Sequence, residues 1–260
     1  MLQLPERDLS PETAVFLQEL QDEVNKCADF NSRSEKAKSL FDRRTNNKPF
    51  KEIRATLKEM SFGIERCSYC EDSKGNAIEH ILPKNYFPES CFIWENYCLA
   101  CTDCNSTKLD KYPIWLTDSE QVYLIPSKST IPPPVGLNLF INPRLDDPLQ
   151  FIFLDINQET FFLLPFAEDG TLAFLKGFHT IDLLQLNDAR HVQARQNAYY
   201  NYKGRLKDYL SEPDSAIQQK MMASLRKEHH KTVWHEMKRQ KDYIAELKDL
   251  FVKLPEALTW

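Results

Sequence analysis

The chain has 260 residues, of which 42% are hydrophobic and 27% charged, and its formal net charge is −5. This composition is typical of an ordinary globular protein with one sizeable core or two modest ones. No run approaches the ~18 apolar residues of a transmembrane helix, and the first ten residues lack a basic start with an apolar core. We therefore expect a cytoplasmic protein without a membrane partner.

The charge is distributed unevenly. Residues 110–190 carry five Lys/Arg and eleven Asp/Glu, whereas residues 203–253 carry twelve against eight. A nucleic-acid binder holds its ligand through cations that neutralise phosphates, so a net negative chain is not steered to nucleic acid as a whole. A local basic patch remains compatible with this charge, and a partner protein would then supply much of the affinity.

Residues 1–66 are predicted to form an N-terminal helical segment. Ser10 and Pro11 make a good N-cap and first helical position, and apolar residues follow near helical spacing. Two further helices are expected over residues 34–44 and 48–62. The second carries an apolar stripe consisting of Phe50, Ile53, Leu57 and Met60.

Two CxxC pairs bound the next segment, residues 67–111. The four cysteines are Cys67, Cys70, Cys101 and Cys104. In a reducing compartment such pairs indicate a metal site rather than disulfides. Four thiolates complete the tetrahedral coordination of Zn²⁺ and leave no open position, so we predict a structural zinc that stabilises the fold. Within the segment, "AIEHI" and "NYCLAC" are predicted strands, and "TDCNSTKLDK" begins a helix.

Residues 112–260 are predicted to be an accessory region with short strands followed by long helices. Candidate strands are residues 137–141, 151–156, 160–164 and 171–175. A helix is expected to begin after Thr180, and Asn187 is expected to cap a second helix that ends near Leu210. Beyond Pro213, apolar spacing predicts one long amphipathic helix to about Phe251. The three histidines at 229, 230 and 235 are interpreted as solvated.

The interval between the CxxC pairs contains residues suited to phosphodiester hydrolysis. It spans thirty residues, longer than the interval of about 15–20 in a plain zinc ribbon. A neutral His80 can accept a proton from water near pH 7. Glu79 and the amide of Asn105 are hard oxygen donors for Mg²⁺. Lys108, one turn after Asn105, and Lys84 are candidate phosphate contacts.

In their order along the chain, these residues resemble the HNH endonuclease motif, a zinc-stabilised ββα-metal module. The resemblance implies an α+β fold, with His80 as the general base and Glu79 and Asn105 as ligands of a catalytic Mg²⁺ or Mn²⁺. It also implies that Asn96 is the central asparagine that braces the loop after the histidine. Glu79 stands where many members have Asp, and Asn105 stands where the eponymous motif has a second His.

Phrases over roughly residues 60–195 further resemble the HNH proteins of the Septu anti-phage system (PtuB-like), and also retron-associated HNH effectors. They include "CSYCE", "IEHILPK", "WENYCLACTDCNSTK", "LFINPRLDDP" and "TIDLLQLN". This resemblance implies a nucleic-acid substrate, DNA rather than RNA, and a separate ABC/SMC-like ATPase subunit (PtuA-like). Two alternatives stay open: a non-catalytic zinc-stabilised binding or regulatory subunit, and a nuclease directed at RNA or tRNA.

Overall fold

A computed structural model describes residues 1–62, 64–126 and 129–260. It is a mixed α and β structure with small sheets, which confirms the coarse fold class. The helices of the described residues are α1 (Pro11–Asn25), α2 (Phe30–Arg44), α3 (Lys48–Met60), α4 (Thr102–Lys108), α5 (Leu172–Leu183), α6 (Ala189–Ser211), α7 (Ser215–Leu225), α8 (Lys231–Arg239) and α9 (Ala245–Lys253). The strands are β1 (Ala77–His80), β2 (Tyr97–Ala100), β3 (Pro113–Leu116), β4 (Gln121–Leu124), β5 (Leu137–Asn138), β6 (Ile152–Leu154) and β7 (Leu163–Pro165).

The N-terminal segment forms three helices, as the sequence predicts. Ser10 caps α1 by accepting a hydrogen bond from the Thr13 amide at 3.3 Å. The predicted apolar stripe of α3 is buried throughout, and α3 packs against β2. Helix α2 begins at Phe30, earlier than predicted, because Asp29 accepts the Ser32 amide at 2.9 Å and starts the helix there. The N-terminal helices therefore lie directly on the cysteine-bounded segment.

The cysteine-bounded segment folds into two antiparallel strands followed by a short helix. Ala77 pairs with Ala100 and His80 pairs with Tyr97 at the two ends of the β1–β2 register. Helix α4 follows β2 without a loop and packs against β1. The predicted order of strand, strand and helix is present, so side chains from β1 and α4 are brought to one place.

The region after residue 112 departs from the sequence prediction at several points. The segment 171–175, predicted as a strand, is the first turn of α5, because the Thr171 hydroxyl accepts the Phe174 amide at 3.2 Å and caps a helix. Thr180 is not an N-cap but lies inside α5, where its hydroxyl donates to the Lys176 carbonyl at 2.8 Å. A continuous apolar run fits both a short strand and a buried helix, which explains the error.

The other expected helix starts also shift. Asp188, rather than Asn187, caps α6 through the His191 amide at 2.8 Å. The single long helix predicted beyond Pro213 is instead three helices, α7 to α9. The backbone of His230 takes a left-handed conformation (φ 53°) between α7 and α8, and α8 ends at its C-cap Gln240 before α9 begins at Ala245. His230 is also buried rather than solvated.

The three short sheets are antiparallel: β1 with β2, β3 between β4 and β5, and β6 with β7. Helix α8 packs on β6, and α5 packs on β7. Buried apolar side chains from the N-terminal helices, the cysteine-bounded segment and the C-terminal helices form one hydrophobic cluster. Within the described ranges, no helix is both long and apolar enough to span a membrane.

Candidate functional site

The four predicted zinc ligands come together in the structure. Their sulfur atoms all lie within 4.8 Å of one another, and all four residues are buried. The Sγ atoms of Cys70 and Cys101 are 3.9 Å apart, close to the ~3.8 Å edge of a tetrahedron with Zn–S bonds of about 2.3 Å. The cluster therefore fits a zinc ion.

Local backbone geometry places these sulfurs. Cys67 and Cys70 lie on a tight turn that closes with the left-handed residue Glu71 (φ 61°), whose amide donates to the Cys67 carbonyl at 3.0 Å. Cys101 is the N-cap of α4, and Cys104 lies in its first turn, where its amide donates to Cys101 Sγ at 3.4 Å. A zinc ion at this cluster would join the turn before β1 to the start of α4.

His80, at the end of β1, is held in one ring orientation. Its Nε2 lies 3.1 Å from the backbone carbonyl of Cys91. A carbonyl only accepts hydrogen bonds, so Nε2 carries the proton and Nδ1 keeps its lone pair. Nδ1 has no hydrogen-bond partner among the described residues, and this atom is not completely buried. The histidine thus presents a basic nitrogen while its other nitrogen is fixed, which is the arrangement that orients a general base.

The surroundings of His80 favour its neutral form. Only 5% of the residue is exposed, and the rings of Phe41 and Tyr97 lie 4.5 Å and 5.1 Å from the imidazole. Burial lowers the pKa of His80 well below its usual value, and the nearby Lys84 ammonium lowers it further. A histidine that is neutral near pH 7 can accept a proton.

Asn96 connects the two sides of the loop that follows His80. Its Oδ1 accepts the Leu82 amide at 2.7 Å, and its Nδ2 donates to the carbonyls of Leu82 at 3.0 Å and Ser90 at 2.8 Å. Three hydrogen bonds from one buried amide fix residues on both sides of the loop. A buried amide with these three hydrogen bonds can brace the loop, which is the role that the HNH resemblance implies for Asn96.

Glu79 points to the face of β1 opposite His80, because adjacent strand residues alternate. Its Oε1 lies 2.7 Å from Lys108 Nζ, and both side chains are buried. Burial raises the pKa of the Glu79 carboxyl, and the Lys108 ammonium opposes that shift. Lys108 also donates to the His80 carbonyl at 2.9 Å and is 0% exposed. In this structure Lys108 organises Glu79 and His80 rather than reaching the surface, so its predicted contact with phosphate stays a prediction.

The two remaining candidate residues lie at the edge of this arrangement. Asn105 is half-buried on α4, one turn before Lys108, and its side chain has no hydrogen-bond partner among the described residues. Lys84 is half-buried after β1, and its Nζ lies 5.2 Å from the centre of the Phe41 ring. The Asn105 amide is therefore available as a ligand, and Lys84 is available to an anion near His80.

Three contributors to the site were not anticipated from the sequence. Cys91 supplies the carbonyl that orients His80, and burial raises the pKa of its thiol to about 12. Phe41 of α2 covers the imidazole. Arg144 donates to the carbonyls of Trp94 at 3.0 Å and Tyr97 at 2.9 Å, at the start of β2. Backbone acceptors and distant aromatic residues leave no spacing signal, which is why the pattern of motifs missed them.

A stretch of 66 residues is 38% identical to the Septu protein PtuB of Bacillus thuringiensis. The match covers 24% of this chain and 24% of that protein, so the chain spans about a quarter of the length of this curated relative. No family model matches the chain, and no solved structure matches it. The similarity relates part of the chain to a Septu protein.

Proposed function

We propose that this chain is a metal-dependent endonuclease of the HNH type, with residues 67–111 as its catalytic module. One observation carries the proposal: the hydrogen bond from His80 Nε2 to the Cys91 carbonyl leaves Nδ1 as a free base. A pure zinc-binding scaffold has no need of a histidine oriented in this way. The four-sulfur cluster supplies the rigid support that a positioned base requires.

In this mechanism His80 Nδ1 takes the proton of the attacking water. Asn96 keeps the loop, and with it the orientation of the ring, in place. Glu79, which has one oxygen against Lys108, and the unpaired Asn105 amide fit a small oxygen-binding cation. Mg²⁺ or Mn²⁺ bound there would stabilise the charge that develops on the phosphate and the leaving oxygen. The HNH resemblance leads us to expect 5′-phosphate and 3′-hydroxyl ends.

The similarity to PtuB and the phrases that resemble Septu proteins support a role in anti-phage defence. We propose that the chain is the nuclease subunit of a complex with a separate ABC/SMC-like ATPase. The net charge of −5 is consistent with a partner that supplies much of the nucleic-acid affinity. The isolated chain should then cut DNA poorly at physiological salt, and the co-expressed pair should cut it faster.

The test is cleavage of plasmid DNA by zinc-loaded protein with and without added Mg²⁺ or Mn²⁺. Cleavage should need the added ion, and His80→Ala should abolish it while the zinc content stays at about one ion per chain. Full cleavage without added divalent ion, or zinc loss in His80→Ala, would contradict the proposal. Total RNA as a parallel substrate distinguishes the DNA-directed enzyme from an RNA- or tRNA-directed one.

One observation favours a second function, a non-catalytic binding or regulatory subunit. His80 is almost enclosed, and the carboxylate of Glu79 is already paired with Lys108. If the chain is such a subunit, the complex should function equally well with His80→Ala and with the native histidine. Defence or cleavage by the complex that is unchanged by His80→Ala selects this second function.

A further inference from the structure

The N-terminal helices carry a basic segment that the catalytic residues do not use. Residues 26–58 contain ten Lys/Arg and four Asp/Glu, a net charge of +6 in a chain whose total is −5. Helix α2 lies within this segment and has five cations among its fifteen residues.

Helix α2 packs beside His80. Its Phe41 ring contacts both the His80 imidazole at 4.5 Å and Lys84 at 5.2 Å. Its Ser34 hydroxyl donates to the Asn85 carbonyl at 2.9 Å, in the loop that follows β1. Two separate contacts thus align one face of α2 with the loop that carries Lys84.

Lys38 lies on that same face. Positions 34, 38 and 41 follow one another at four- and three-residue spacing, so their side chains lie on one side of the helix. Lys38 is exposed and has no ion pair within the described ranges. Its ammonium therefore has no carboxylate partner among the described residues, and the residue stands on the face of α2 that contacts His80 and the loop of Lys84.

The basic region near the C-terminus differs in this respect. There six of the twelve cations are paired with carboxylates of the chain itself; for example, Lys203 and Lys207 contact Glu246 at 2.8 and 2.7 Å, and Arg205 contacts Glu228 at 2.6 Å. A paired cation is less available to a phosphate, because its existing partner must first be released. Among the described residues, only three of the ten cations in residues 26–58 are paired with a carboxylate, so a larger share of the N-terminal cations is free.

We propose that α2 forms one wall of the nucleic-acid groove, where Lys38 and Lys84 together hold the phosphate backbone beside His80. This inference rests on the proposed nuclease function, and it names the surface that presents the substrate. Asp42 is exposed and next to Phe41, and its negative charge would weaken the attraction of this surface for phosphate. The N-terminal segment then belongs to the substrate site and is not only a support for it.

The test is binding of a labelled DNA duplex of about 20 base pairs to the full zinc-loaded chain, without added Mg²⁺, at ~50 to ~200 mM salt. Lys38→Ala should weaken binding about three- to tenfold and reduce the slope of log K against log[salt] by about 0.9, the value for one lost phosphate contact. Asp42→Asn should strengthen binding. Far-ultraviolet circular dichroism and zinc content confirm that each variant is folded.

The matched control is Arg43→Ala, which removes the same charge from the same helix. Residue 43 lies two positions after Phe41, on the opposite side of α2, and Lys36 on that side pairs with Glu23 of α1 at 2.9 Å. The groove proposal is contradicted if Lys38→Ala and Arg43→Ala weaken DNA binding equally. It is also contradicted if the native chain shows no salt-dependent DNA binding at the lowest salt concentration.

The outcome is separable from that of the nuclease proposal. Selective loss of binding in Lys38→Ala without any Mg²⁺-dependent cleavage supports the groove and contradicts the enzyme. Cleavage that depends on His80, with Lys38→Ala and Arg43→Ala indistinguishable, supports the enzyme and contradicts the groove. An RNA duplex of the same sequence identifies which backbone the groove prefers, because only RNA has 2′-hydroxyl groups.

Discussion

The two ends of the β1–β2–α4 unit differ in what their polar side chains contact. At one end, four cysteine sulfurs face one another within 4.8 Å. At the other end, His80 and Glu79 are each bonded on one side only, to a backbone carbonyl and to Lys108. A closed four-sulfur site has no free position for chemistry, whereas groups that are half-satisfied keep atoms that can react. Changes at the first end should therefore affect stability, and changes at the second end should affect activity.

The largest expected effect comes from Cys101→Ser. Cys101 both caps α4 and contributes a sulfur to the cluster, so its loss removes one of the four ligands of the zinc ion that the cluster could hold. We expect zinc content to fall to near zero and the free energy of unfolding to fall by several kcal/mol, on the order of 5. Metal analysis and urea unfolding measure the two quantities.

Cys98→Ala is the matched control, because Cys98 is fully buried in β2 but lies outside the cluster. It should keep its zinc and lose about 1 kcal/mol of stability. If both variants lose zinc alike, the division between the two ends is not supported.

Lys108→Met tests whether the second end also contributes to stability. It leaves the Glu79 carboxylate buried without its cation at 2.7 Å, and removal of one partner of a buried pair costs about 3–5 kcal/mol. The double variant Glu79→Leu with Lys108→Met should be much closer to the native protein, because no unpaired charge remains. Urea unfolding of the two single variants and the double variant gives the coupling energy, and simple additivity would show that the ion pair contributes nothing.

The sequence predicted one part of the molecule far better than the other. The cysteine cluster and the order of elements in residues 67–111 follow from ligand chemistry and residue patterns at fixed spacing, which leave a local signal. The bracing role of Asn96 came only from the HNH resemblance. The start of α5 was not predicted, because "TLAFL" is apolar without a clear period. The helix depends on one capping hydrogen bond, in which the Thr171 hydroxyl accepts the Phe174 amide. The break between α7 and α8 lies at the left-handed backbone of His230, which no pattern marked.

The candidate site shows the same limit at the level of single atoms. The sequence singled out His80 and Glu79 as candidates, but it could not show which nitrogen of His80 is free, since that depends on the carbonyl of Cys91 eleven residues later. Nor did it anticipate that Lys108 is buried between Glu79 and the His80 carbonyl. Partners that use the backbone, or that arrive from another element, are fixed by tertiary packing.

The pH dependence of stability sharpens the description of His80. Its pKa is lowered in the folded chain, so the unfolded chain binds more protons below the usual pKa of about 6.5. The contribution of neutral His80 is present in full above pH ~6.5 and is lost as the pH falls through the lowered value. Relative to His80→Gln, the native protein should lose up to about 1.4 kcal/mol per pH unit below pH 6.5.

Urea unfolding at a series of pH values measures that difference, and the other histidines are common to both proteins. A stability difference that does not change with pH would mean that His80 has an ordinary pKa. For the same reason, the cleavage rate should be maintained below pH 6.5, because the base stays neutral there.

The smallest effect on stability, and the finest test of the comparison, is expected from Asn105→Ala. The Asn105 side chain is half-buried with no hydrogen-bond partner among the described residues, and alanine has the higher helix propensity, so stability should change by less than about 0.5 kcal/mol. Zinc content should be unchanged, because residue 105 contributes nothing to the sulfur cluster.

The Mg²⁺ concentration that gives half-maximal cleavage by Asn105→Ala should nevertheless rise at least about tenfold, since one of the two proposed protein ligands is lost. Ser106→Ala, an exposed neighbour on α4, is the control and should leave the zinc content and the Mg²⁺ dependence of cleavage unchanged. A variant at residue 105 with native Mg²⁺ dependence would remove Asn105 from the proposed metal site, and Glu79 would then be the only protein ligand that the proposal retains.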